Sequence, residues 1–300
     1  MGARRALVTG ATGFVGSNLV RRLVADGWDT HIITRPVSSL ELLNDVSDRL
    51  TVHWYDGTVE NLHEIVRLSK PDMVFHLASL FLSQHTSSDI ERLFSSNILF
   101  ATQLVESLVA NGVLRIINTG TSWQHYENRE YSPVNLYAAT KQAFESILQY
   151  YVEASGLQVI TLKLFDTYGP HDPRPKLLNL LEKMAREGST LAMSPGDQLI
   201  DLVYIDDVVD AFLLAAQRLQ TMHVQRHECF ALSSGKPLTL RELVVVYSQL
   251  CGRKISIEWG GRPYRQREVM IPWTSFATLP TWFPKISLES GLIKIRQAAR

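Results

Sequence analysis

Cysteine is scarce in this sequence: Cys229 and Cys251 are the only two in 300 residues. Neither lies in the kind of closely spaced pair that binds a metal or carries out redox chemistry. We therefore expect reduced thiols, as in cytoplasmic proteins, and no metal site. Excess charge is absent too: 30 Lys and Arg balance 30 Asp and Glu, which favours neither nucleic acid nor an anionic membrane as a partner. No uninterrupted apolar run reaches the roughly 18 residues of a membrane span, and MGARRALVTG leads directly into a strand rather than resembling a signal peptide.

What the sequence does contain is an alternation of strand-like and helix-like segments. Short apolar runs predict strands over residues 6–9, 30–34, 50–54, 73–77, 115–118 and 158–164. Amphipathic periodicity predicts helices over residues 16–25, 93–110 and 136–154. Strands that alternate with helices of these lengths indicate an α/β fold with a parallel, doubly wound sheet.

The alternation becomes less regular after Tyr168-Gly169-Pro170, where prolines cluster. Helices are predicted over 176–187 and 206–219 and a strand over 202–204, before a segment rich in Gly, Pro, Arg and Trp. We therefore expect residues 1–165 to form the main domain, with a returning contribution near residues 200–235. Residues 166–300 are expected to form most of a smaller, interleaved substrate domain.

Three glycines, Gly10, Gly13 and Gly16, follow the first strand and open the first helix. Gly10 allows a tight turn, Gly13 leaves room for a pyrophosphate, and Gly16 lets the helix pack close to the sheet. The helix N-terminus presents free N–H groups to an anion. A glycine-rich turn without a ligand is the alternative. This context instead predicts a dinucleotide site in a Rossmann-type domain, with contacts from Thr9, Gly10, Thr12, Gly13, Phe14, Val15 and Gly16.

The G-x-x-G-x-x-G spacing after Thr9 resembles that of the extended short-chain dehydrogenase/reductase family, also described as the NAD-dependent epimerase/dehydratase family. Asp56-Gly57 follows the third strand, where that family has an acid near the adenine. The segment from Phe75 to Ser79 is similar to the family's fourth-strand segment, which runs along the cofactor. The resemblance implies further cofactor contacts from Asp56, Gly57, Leu77, Ala78, Ser79, Asn97 and Phe165.

The end of the second strand bears on which nicotinamide cofactor is used. It reads His31-Ile32-Ile33-Thr34-Arg35, without the acid that binds the adenosine ribose hydroxyls in NAD sites. Arg35 is suited to pair with a 2′-phosphate or to stack on adenine. This favours NADP(H), with NAD(H) as the alternative cofactor and a solvated surface arginine as the alternative role for Arg35.

Tyr137 and Lys141 are four residues apart in a predicted helix, so their side chains share one face. An unperturbed tyrosine has a pKa of about 10, and a neighbouring cation lowers that pKa toward the working range of an acid or base. Such a pair usually lies on a solvated helix face. In a chain with a nucleotide loop, after a fifth strand, it predicts catalysis, and both residues are expected to contact the cofactor.

The resemblance also implies a hydroxyl at the end of the fifth strand that hydrogen-bonds the reacting oxygen. Counting from the strand end selects Thr121, whereas counting back from Tyr126 selects Ser122. We favour Thr121 as the catalytic residue and expect Ser122 and Trp123 to contact substrate. Relatives that dehydrate a nucleotide-hexose carry an Asp-Glu pair here, which this chain lacks, so a 4,6-dehydratase is disfavoured. His125 is either a substitute acid or base or a structural histidine.

Two positions in the second half depart from the family pattern. Asp166, expected to contact substrate, stands where the family commonly has Asn, and Ile200 stands where it usually has Arg. A diphosphate contact is therefore missing or supplied elsewhere. Arg262, Arg265 and Arg267 lie in a Gly/Pro-flanked loop and are suited to clamp a diphosphate, although a solvated basic loop would look the same.

Within the family, the Thr-Gly-Thr-Ser-Trp-Gln-His-Tyr run and the helix from Tyr137 to Glu145 resemble bacterial 4-keto-6-deoxyhexose reductases of the CDP-paratose and CDP-abequose synthase kind. This implies NADPH-dependent reduction of the C4 ketone of a nucleotide-linked 4-keto-6-deoxyhexose. The alternatives are an NAD-dependent nucleotide-sugar 4-epimerase and a non-catalytic NADP-binding sensor. Apolar positions over 93–110 and 143–152 permit the homodimer common in the family, but a core face would look the same.

Overall fold

The computed structural model describes residues 3–221 and 227–298. Residues 1–2, 222–226 and 299–300, and the parts of the predicted domains that fall on them, lie outside the described residues. The strands are β1 (Arg5–Thr9), β2 (Asp29–Thr34), β3 (Leu50–Trp54), β4 (Met73–His76), β5 (Arg115–Thr121), β6 (Gln158–Leu164), β7 (Asp166–Tyr168), β8 (Thr190–Met193), β9 (Leu199–Ile200), β10 (Leu202–Tyr204), β11 (His227–Leu232), β12 (Leu238–Thr239) and β13 (Ser256–Trp259). The helices are α1 (Phe14–Ala25), α2 (Val59–Ser69), α3 (Ile90–Phe94), α4 (Phe100–Ala110), α5 (Leu136–Ser155), α6 (Leu177–Glu187), α7 (Ile205–Thr221), α8 (Leu240–Cys251) and α9 (Leu288–Ala298).

One sheet of seven strands forms the centre of the molecule, in the order β3-β2-β1-β4-β5-β6-β11. Each neighbouring pair in this sheet is parallel. Successive strands are added toward one edge of the sheet up to β3 and toward the other edge from β4 onward, so the strand order reverses between β1 and β4. Doubly wound sheets bind ligands at such a switch point, beside the carboxyl ends of their strands. The predicted Rossmann-type α/β fold is therefore confirmed.

Helices cover both faces of the sheet, and each face has its own hydrophobic core. One core includes Leu19 of α1 and Phe212 of α7, and the other includes Leu104 of α4 and Phe144 of α5. Burial of each such side chain contributes about 1.5–3 kcal/mol. Because both faces are covered, a central strand such as β4 is buried along its whole length.

Local signals fix the position of α5, which carries the predicted catalytic pair. The Asn135 side chain accepts a hydrogen bond from the Ala138 amide at 2.9 Å and so caps the first turn. Gly156, with φ of 71°, ends the helix. The buried positions Ala138, Lys141, Glu145, Leu148 and Val152 follow helical spacing, so two charged side chains face the protein interior.

The helical stretch from Ser87 to Ala110 contains a π-helical turn, Ser95–Leu99. Such turns are rare and frequently lie at functional sites; this one carries Asn97, which is 2% exposed. Among the described residues, this stretch is long and apolar enough to cross a membrane by length and composition. Core helices of soluble proteins meet the same criterion, and α4 packs against α2 and α5.

The smaller part of the molecule contains the two-stranded sheets β10-β7, β12-β9 and β13-β8. The chain passes through β8, β9 and β10 before β11 returns to the central sheet beside β6. Asp207 fastens the C-terminal segment, because its carboxylate accepts from the Lys285 and Ile286 amides at 3.0 Å each. Its carbonyl accepts from Trp282 Nε1 at 2.9 Å. These contacts hold the C-terminal segment against the first turn of α7.

Candidate active site

The glycine loop has the tight geometry that its spacing predicts. Gly10 has φ of 71°, and a Cβ there would lie 2.6 Å from the Ala78 amide nitrogen. A Cβ on Gly16 would lie 2.1 Å from the Gly10 carbonyl oxygen. Gly13 is exposed, and α1 begins directly after it with no acid in its first turn. The first amides of α1 have no partner within the helix, so residues and geometry fit an anionic pyrophosphate.

Other predicted cofactor residues lie at the same edge of the sheet. Arg35 is exposed directly after β2, and Asp56 is exposed just after β3. The Asp56 carboxylate accepts from the Thr58 amide at 2.9 Å and from its hydroxyl at 2.7 Å, which lowers the pKa of Asp56. After β4, the Ala78 amide donates to Thr9 Oγ1 at 3.2 Å. The carboxyl ends of parallel strands meet here, so these residues follow one edge; their cofactor contacts stay predictions.

Asn97 is fixed by hydrogen bonds at the same edge. Its Oδ1 accepts from Ser79 Oγ at 3.1 Å and from the Leu80 amide at 2.7 Å. Its Nδ2 donates to the Leu80 carbonyl and to Thr140 Oγ1, both at 3.0 Å. The π-helical turn is therefore tied both to the segment after β4 and to α5, next to Tyr137.

Tyr137 and Lys141 lie one turn apart near the start of α5, as predicted. Lys141 is 3% exposed, and burial lowers its pKa to about 8 although the Glu145 carboxylate opposes the shift. Burial raises the pKa of Tyr137 to about 12, opposed by a hydrogen bond with Ser79. The expectation that a nearby cation lowers the pKa of Tyr137 is therefore wrong here, because desolvation of the phenol dominates. Tyr137 keeps its proton at neutral pH and is suited to donate it.

The structure separates the two candidate hydroxyls, Thr121 and Ser122. β5 does end at Thr121, but this residue is 8% exposed and its Oγ1 accepts from the Trp123 amide at 3.3 Å. Ser122 begins a 3-10 turn and, together with Trp123, lines a cavity whose wall also includes Phe81 and Phe165. Within the described residues, neither hydroxyl makes a recorded hydrogen bond to Tyr137. The geometry favours Ser122 over Thr121 as the hydroxyl that faces substrate.

His125 belongs to a buried chain of polar groups. Its Nε2 lies 2.8 Å from Lys163 Nζ, which lies 3.2 Å from Glu145 Oε2. Its Nδ1 lies 3.1 Å from the Arg129 carbonyl and must donate to it, so Nε2 accepts from Lys163. The ring stacks on Trp273 with centroids 3.8 Å apart. Both ring nitrogens are occupied by protein partners, which favours the structural alternative for His125 over the acid–base alternative.

Two buried histidines, His76 and His125, and the half-buried His227 predict a loss of stability in mild acid. Burial, with a nearby lysine, lowers the pKa of His76 to about 3 and that of His125 and His227 to about 4. An unfolded histidine has a pKa of about 6.5, so below that pH the unfolded chain binds protons that the folded chain excludes. We expect the free energy of unfolding to be fully present above about pH 6.5 and to fall toward about pH 4.

Urea unfolding at stepped pH measures this dependence, and the range above about pH 5 separates the histidines from most carboxylates. His227→Gln removes one of the three histidines and keeps a polar partner for Thr161 Oγ1, which lies 2.6 Å from His227 Nε2. Its stability should depend less on pH than that of the wild type. A wild-type profile that is flat from about pH 7 to 5 would contradict the expectation.

The cavity lined by Ser122 and Trp123 has a volume of about 360 Å³, and neither Tyr137 nor Lys141 is among its lining residues. Its wall includes Phe81, whose ring meets that of Tyr137 edge-on at 5.0 Å. Asp166 and Phe165, both predicted site residues, also line it. The volume lies in the range of small-molecule sites. Among the described residues, no group of three His, Cys, Asp or Glu side chains is arranged to hold a metal ion.

The three arginines of the predicted clamp are not brought together. Arg265 lines the cavity, with its guanidinium 5.4 Å from the Trp123 ring centroid and paired with Glu268 at 2.6 Å. Arg262 is exposed and Arg267 donates to Ser132 Oγ at 2.8 Å; neither lines this cavity. The structure therefore supports only Arg265 as a substrate contact.

Two cavity residues were missed by the sequence analysis. Lys176 pairs with Asp166 at 2.9 Å, which neutralises the acid that stands where the family has Asn. Gln198 is 7% exposed, and its Oε1 has no hydrogen-bond partner among the described residues. A buried, unpaired amide oxygen in a cavity wall is suited to bind a ligand. Neither residue has a local sequence signal that would have singled it out.

Fold and site together define an α/β protein of the Rossmann type, whose glycine loop has the geometry to accept a pyrophosphate. More narrowly, the model of the NAD dependent epimerase/dehydratase family matches residues 6–227, and the chain is an enzyme of that family. The family resemblance seen in the sequence is thereby confirmed.

Relatives with different activities are similar to the chain over nearly its whole length. A CDP-abequose synthase of Salmonella muenchen is 26% identical over 298 residues, 97% of each chain. A UDP-glucose 4-epimerase of Mycolicibacterium smegmatis is 27% identical, covering 97% of this chain and 96% of the relative. The structure of a UDP-glucose 4-epimerase from Thermotoga maritima with UDP-glucose matches with a TM-score of 0.84, at 24% identity and 98% coverage of both chains. Both a synthase and epimerases are therefore similar to this chain.

Proposed function

We propose that this enzyme reduces the C4 ketone of a nucleotide-linked 4-keto-6-deoxyhexose with NADPH, in the cytoplasm. The product would be a deoxysugar nucleotide for polysaccharide, including lipopolysaccharide O-antigen, or for glycosides. The observation that carries the proposal is the pair of Tyr137 and the buried Lys141 one turn apart on α5, with the cavity-lining Phe81 ring against Tyr137. Reduction of a ketone leaves an alkoxide that needs a proton, and a phenol with a pKa of about 12 holds one at neutral pH.

In this reaction the chain's own residues bind, orient and protonate. The amides at the start of α1 hold the pyrophosphate, and Lys141 orients the nicotinamide ribose. When bound, the cofactor supplies the hydride. Ser122, which we now prefer to Thr121, donates a hydrogen bond to the C4 oxygen. Tyr137 then gives its proton to that oxygen.

The nucleotide end of the substrate is assigned to the part of the cavity near Arg265. Among the described residues, the cations in the cavity wall are the Arg265 guanidinium and the Lys176 ammonium. Arg265 is paired with Glu268, and Lys176 is paired with Asp166. A diphosphate would replace or share these partners. Similarity to a CDP-abequose synthase makes CDP the first nucleotide to test.

Replacing Arg35 with Ser is expected to reduce the preference for NADPH over NADH. Arg35 is exposed after β2, where the chain has no acid, and it is suited to pair with the 2′-phosphate. Loss of a hydrogen-bonded charge contact of about 1.5–3 kcal/mol corresponds to a roughly 10- to 100-fold weaker NADPH affinity, with NADH affinity little changed. Cofactor titrations followed by protein fluorescence measure both. Equal weakening for both cofactors would remove Arg35 from 2′-phosphate recognition.

An NAD-dependent 4-epimerase is the second candidate, favoured by the match to a 4-epimerase structure over 98% of both chains. Nicotinamide absorbance separates the two when purified protein is mixed with NADPH or NADH and CDP-, dTDP- or GDP-linked 4-keto-6-deoxyhexoses. The proposal expects stoichiometric loss of NADPH with one of these substrates. No net loss with any of them, together with NAD retained through purification, would favour the epimerase.

We also propose that the enzyme is a homodimer. The exposed apolar side chains Phe94, Leu99 and Tyr150 lie on the two helical segments whose sequence permits such an interface. An interface across these segments would bury them.

A further inference from the structure

We infer that Glu145 is a positioning residue, whose carboxylate fixes two aromatic walls of the cavity relative to Tyr137. One of its oxygens holds the turn that carries Trp123, and the other holds a lysine and a histidine that lie against Trp273. Both tryptophans line the cavity. The inference rests on the proposed function, because it concerns the orientation of the substrate to which Tyr137 would give its proton.

Glu145 is a buried carboxylate on α5, about two turns after Tyr137, and no step of the proposed reaction uses it. It lies directly against the end of β5, because a Cβ on Gly120 would be 3.0 Å from Glu145 Oε1. Glycine at this position therefore leaves room for the carboxylate beside the strand that leads into Ser122. A buried charge needs pairing and hydrogen bonds, and each oxygen of Glu145 has such a partner.

The first arm of the arrangement runs from Glu145 Oε1 to Trp123. Gln124 is fully buried, and its Nε2 donates to Glu145 Oε1 and to Gln142 Oε1 on the same helix, at 2.8 Å each. Gln124 Oε1 accepts from the Thr121 amide at 3.0 Å, so the side-chain amide cannot turn over without placing two donors against each other. These contacts tie the 3-10 turn that contains Trp123 to α5.

The second arm runs from Glu145 Oε2 to Trp273. The Lys163 ammonium lies 3.2 Å from Glu145 Oε2 and donates to His125 Nε2 at 2.8 Å. The His125 ring stacks on the Trp273 ring, with centroids 3.8 Å and planes 16° apart. Because Trp273 belongs to the C-terminal segment, this arm attaches the wall contributed by that segment to α5.

Ring contacts lead from Trp123 back to Tyr137. The centroids of Trp123 and Phe81 are 5.6 Å apart, and the Phe81 ring meets Tyr137 edge-on at 5.0 Å. A path of contacts therefore leaves α5 at Glu145 and returns to it at Tyr137. A displaced Trp123 would change how a substrate in the cavity meets Tyr137, and misplacement by about 1 Å can lower a rate by about 100-fold.

The test follows the tryptophans by fluorine NMR in protein made with 5-fluorotryptophan. The signals of Trp123 and Trp273 are assigned by their loss in Trp123→Phe and Trp273→Phe. Gln124→Met breaks the first arm without removing a charge. The turn keeps its backbone bonds from the Ser132 and Val134 amides, at 2.9 Å each, so we expect a folded protein with a shifted or broadened Trp123 signal.

The second arm is broken by the double variant Glu145→Gln/Lys163→Met, because removing one charge alone would leave the other buried and uncompensated. The glutamine keeps an acceptor for Gln124, so we expect the Trp273 signal to change and the Trp123 signal to stay. The matched control is Glu153→Gln, which neutralises an exposed carboxylate on α5 that also accepts from a glutamine, at 2.8 Å. All six tryptophan signals should then stay at their wild-type positions.

A wild-type Trp123 signal in Gln124→Met, or a wild-type Trp273 signal in the double variant, would overturn the inference. Changes in all six signals would also overturn it, because they would indicate a general structural role. If the double variant does not fold, Gln124→Met decides through the first arm.

Turnover gives a second measurement. We expect kcat with the keto-sugar to fall about 10- to 100-fold in Gln124→Met, while the KM for NADPH changes little because the glycine loop is not altered. An unchanged kcat in a variant whose Trp123 signal has moved would contradict the positioning role. The fluorine signals do not require turnover, so absence of ketone reduction by the wild type would count against the proposed function and leave the structural test of Glu145 intact.

Discussion

Tyr137→Phe is expected to reduce turnover by about 100- to 10,000-fold, the usual contribution of a positioned acid, while cofactor binding stays near that of the wild type. Phe keeps the ring that packs against Phe81 at 5.0 Å and removes only the hydroxyl. The proton for the alkoxide must then come from water. Steady-state turnover with NADPH and the keto-sugar, alongside a cofactor titration, measures both quantities.

The matched control is Tyr131→Phe, which removes the hydroxyl of a tyrosine that is 53% exposed and should leave turnover unchanged. The same pair of variants tests the sensor alternative. If the protein only binds NADP, Tyr137→Phe should alter neither cofactor affinity nor the response to it. Retention of full turnover in Tyr137→Phe would contradict the catalytic assignment.

Alanine at Gly13 and at Gly16 should have different effects, although the two glycines are three residues apart. At Gly16 the new Cβ would lie 2.1 Å from the Gly10 carbonyl oxygen, so the loop must shift. We expect the free energy of unfolding to fall by about 1–3 kcal/mol, as for overpacked sites, and cofactor binding to be lost.

At Gly13 the nearest protein atom would be 3.3 Å from the Cβ, and the residue is exposed with φ of −87°. We expect the free energy of unfolding to fall less than in Gly16→Ala, because the Gly10 carbonyl would need to move by only a few tenths of an ångström. Cofactor affinity should nevertheless fall by about 10-fold or more, because the methyl group occupies the place where the pyrophosphate approaches the backbone. Urea unfolding and cofactor titration of both variants measure the contrast.

Wild-type cofactor affinity in Gly13→Ala would move the dinucleotide away from the start of α1. An equally large loss of stability in both variants would indicate that Gly13 has a packing role that the geometry does not show. The pair thus separates a glycine required by the fold from a glycine required by the ligand.

The fold could be predicted because its signals are local and periodic. The bounds of β3 and β6 coincide with their apolar runs. The sequence analysis did not predict the helix α2, although Thr58 caps it and Leu62, Ile65 and Val66 form its buried stripe. The π-helical turn carrying Asn97 could not be predicted, since an inserted residue leaves an apolar pattern close to that of an ordinary helix.

The sequence indicated the residue types of the candidate site better than it indicated their pKa values. Tyr137 and Lys141 are four residues apart, so their common face follows from helix geometry. The pKa of Tyr137 depends on packing by segments distant in sequence, such as those that contain Phe81 and Ser79. The predicted direction of the shift in this pKa was therefore wrong. The choice between Thr121 and Ser122 depends on a 3-10 turn after β5, which the sequence pattern does not indicate.

Transfer of deuterium from the nicotinamide to the sugar would test the central claim most directly. Purified enzyme is incubated with NADPH deuterated at the transferring position of the nicotinamide and with CDP-4-keto-6-deoxyglucose, and the product is examined by NMR. The proposed reductase predicts one deuterium at C4 of the sugar and one equivalent of NADP⁺ formed. Absence of deuterium from C4 with no NADP⁺ formed, together with C4 inversion of a CDP- or UDP-hexose in a parallel incubation without added cofactor, would contradict it.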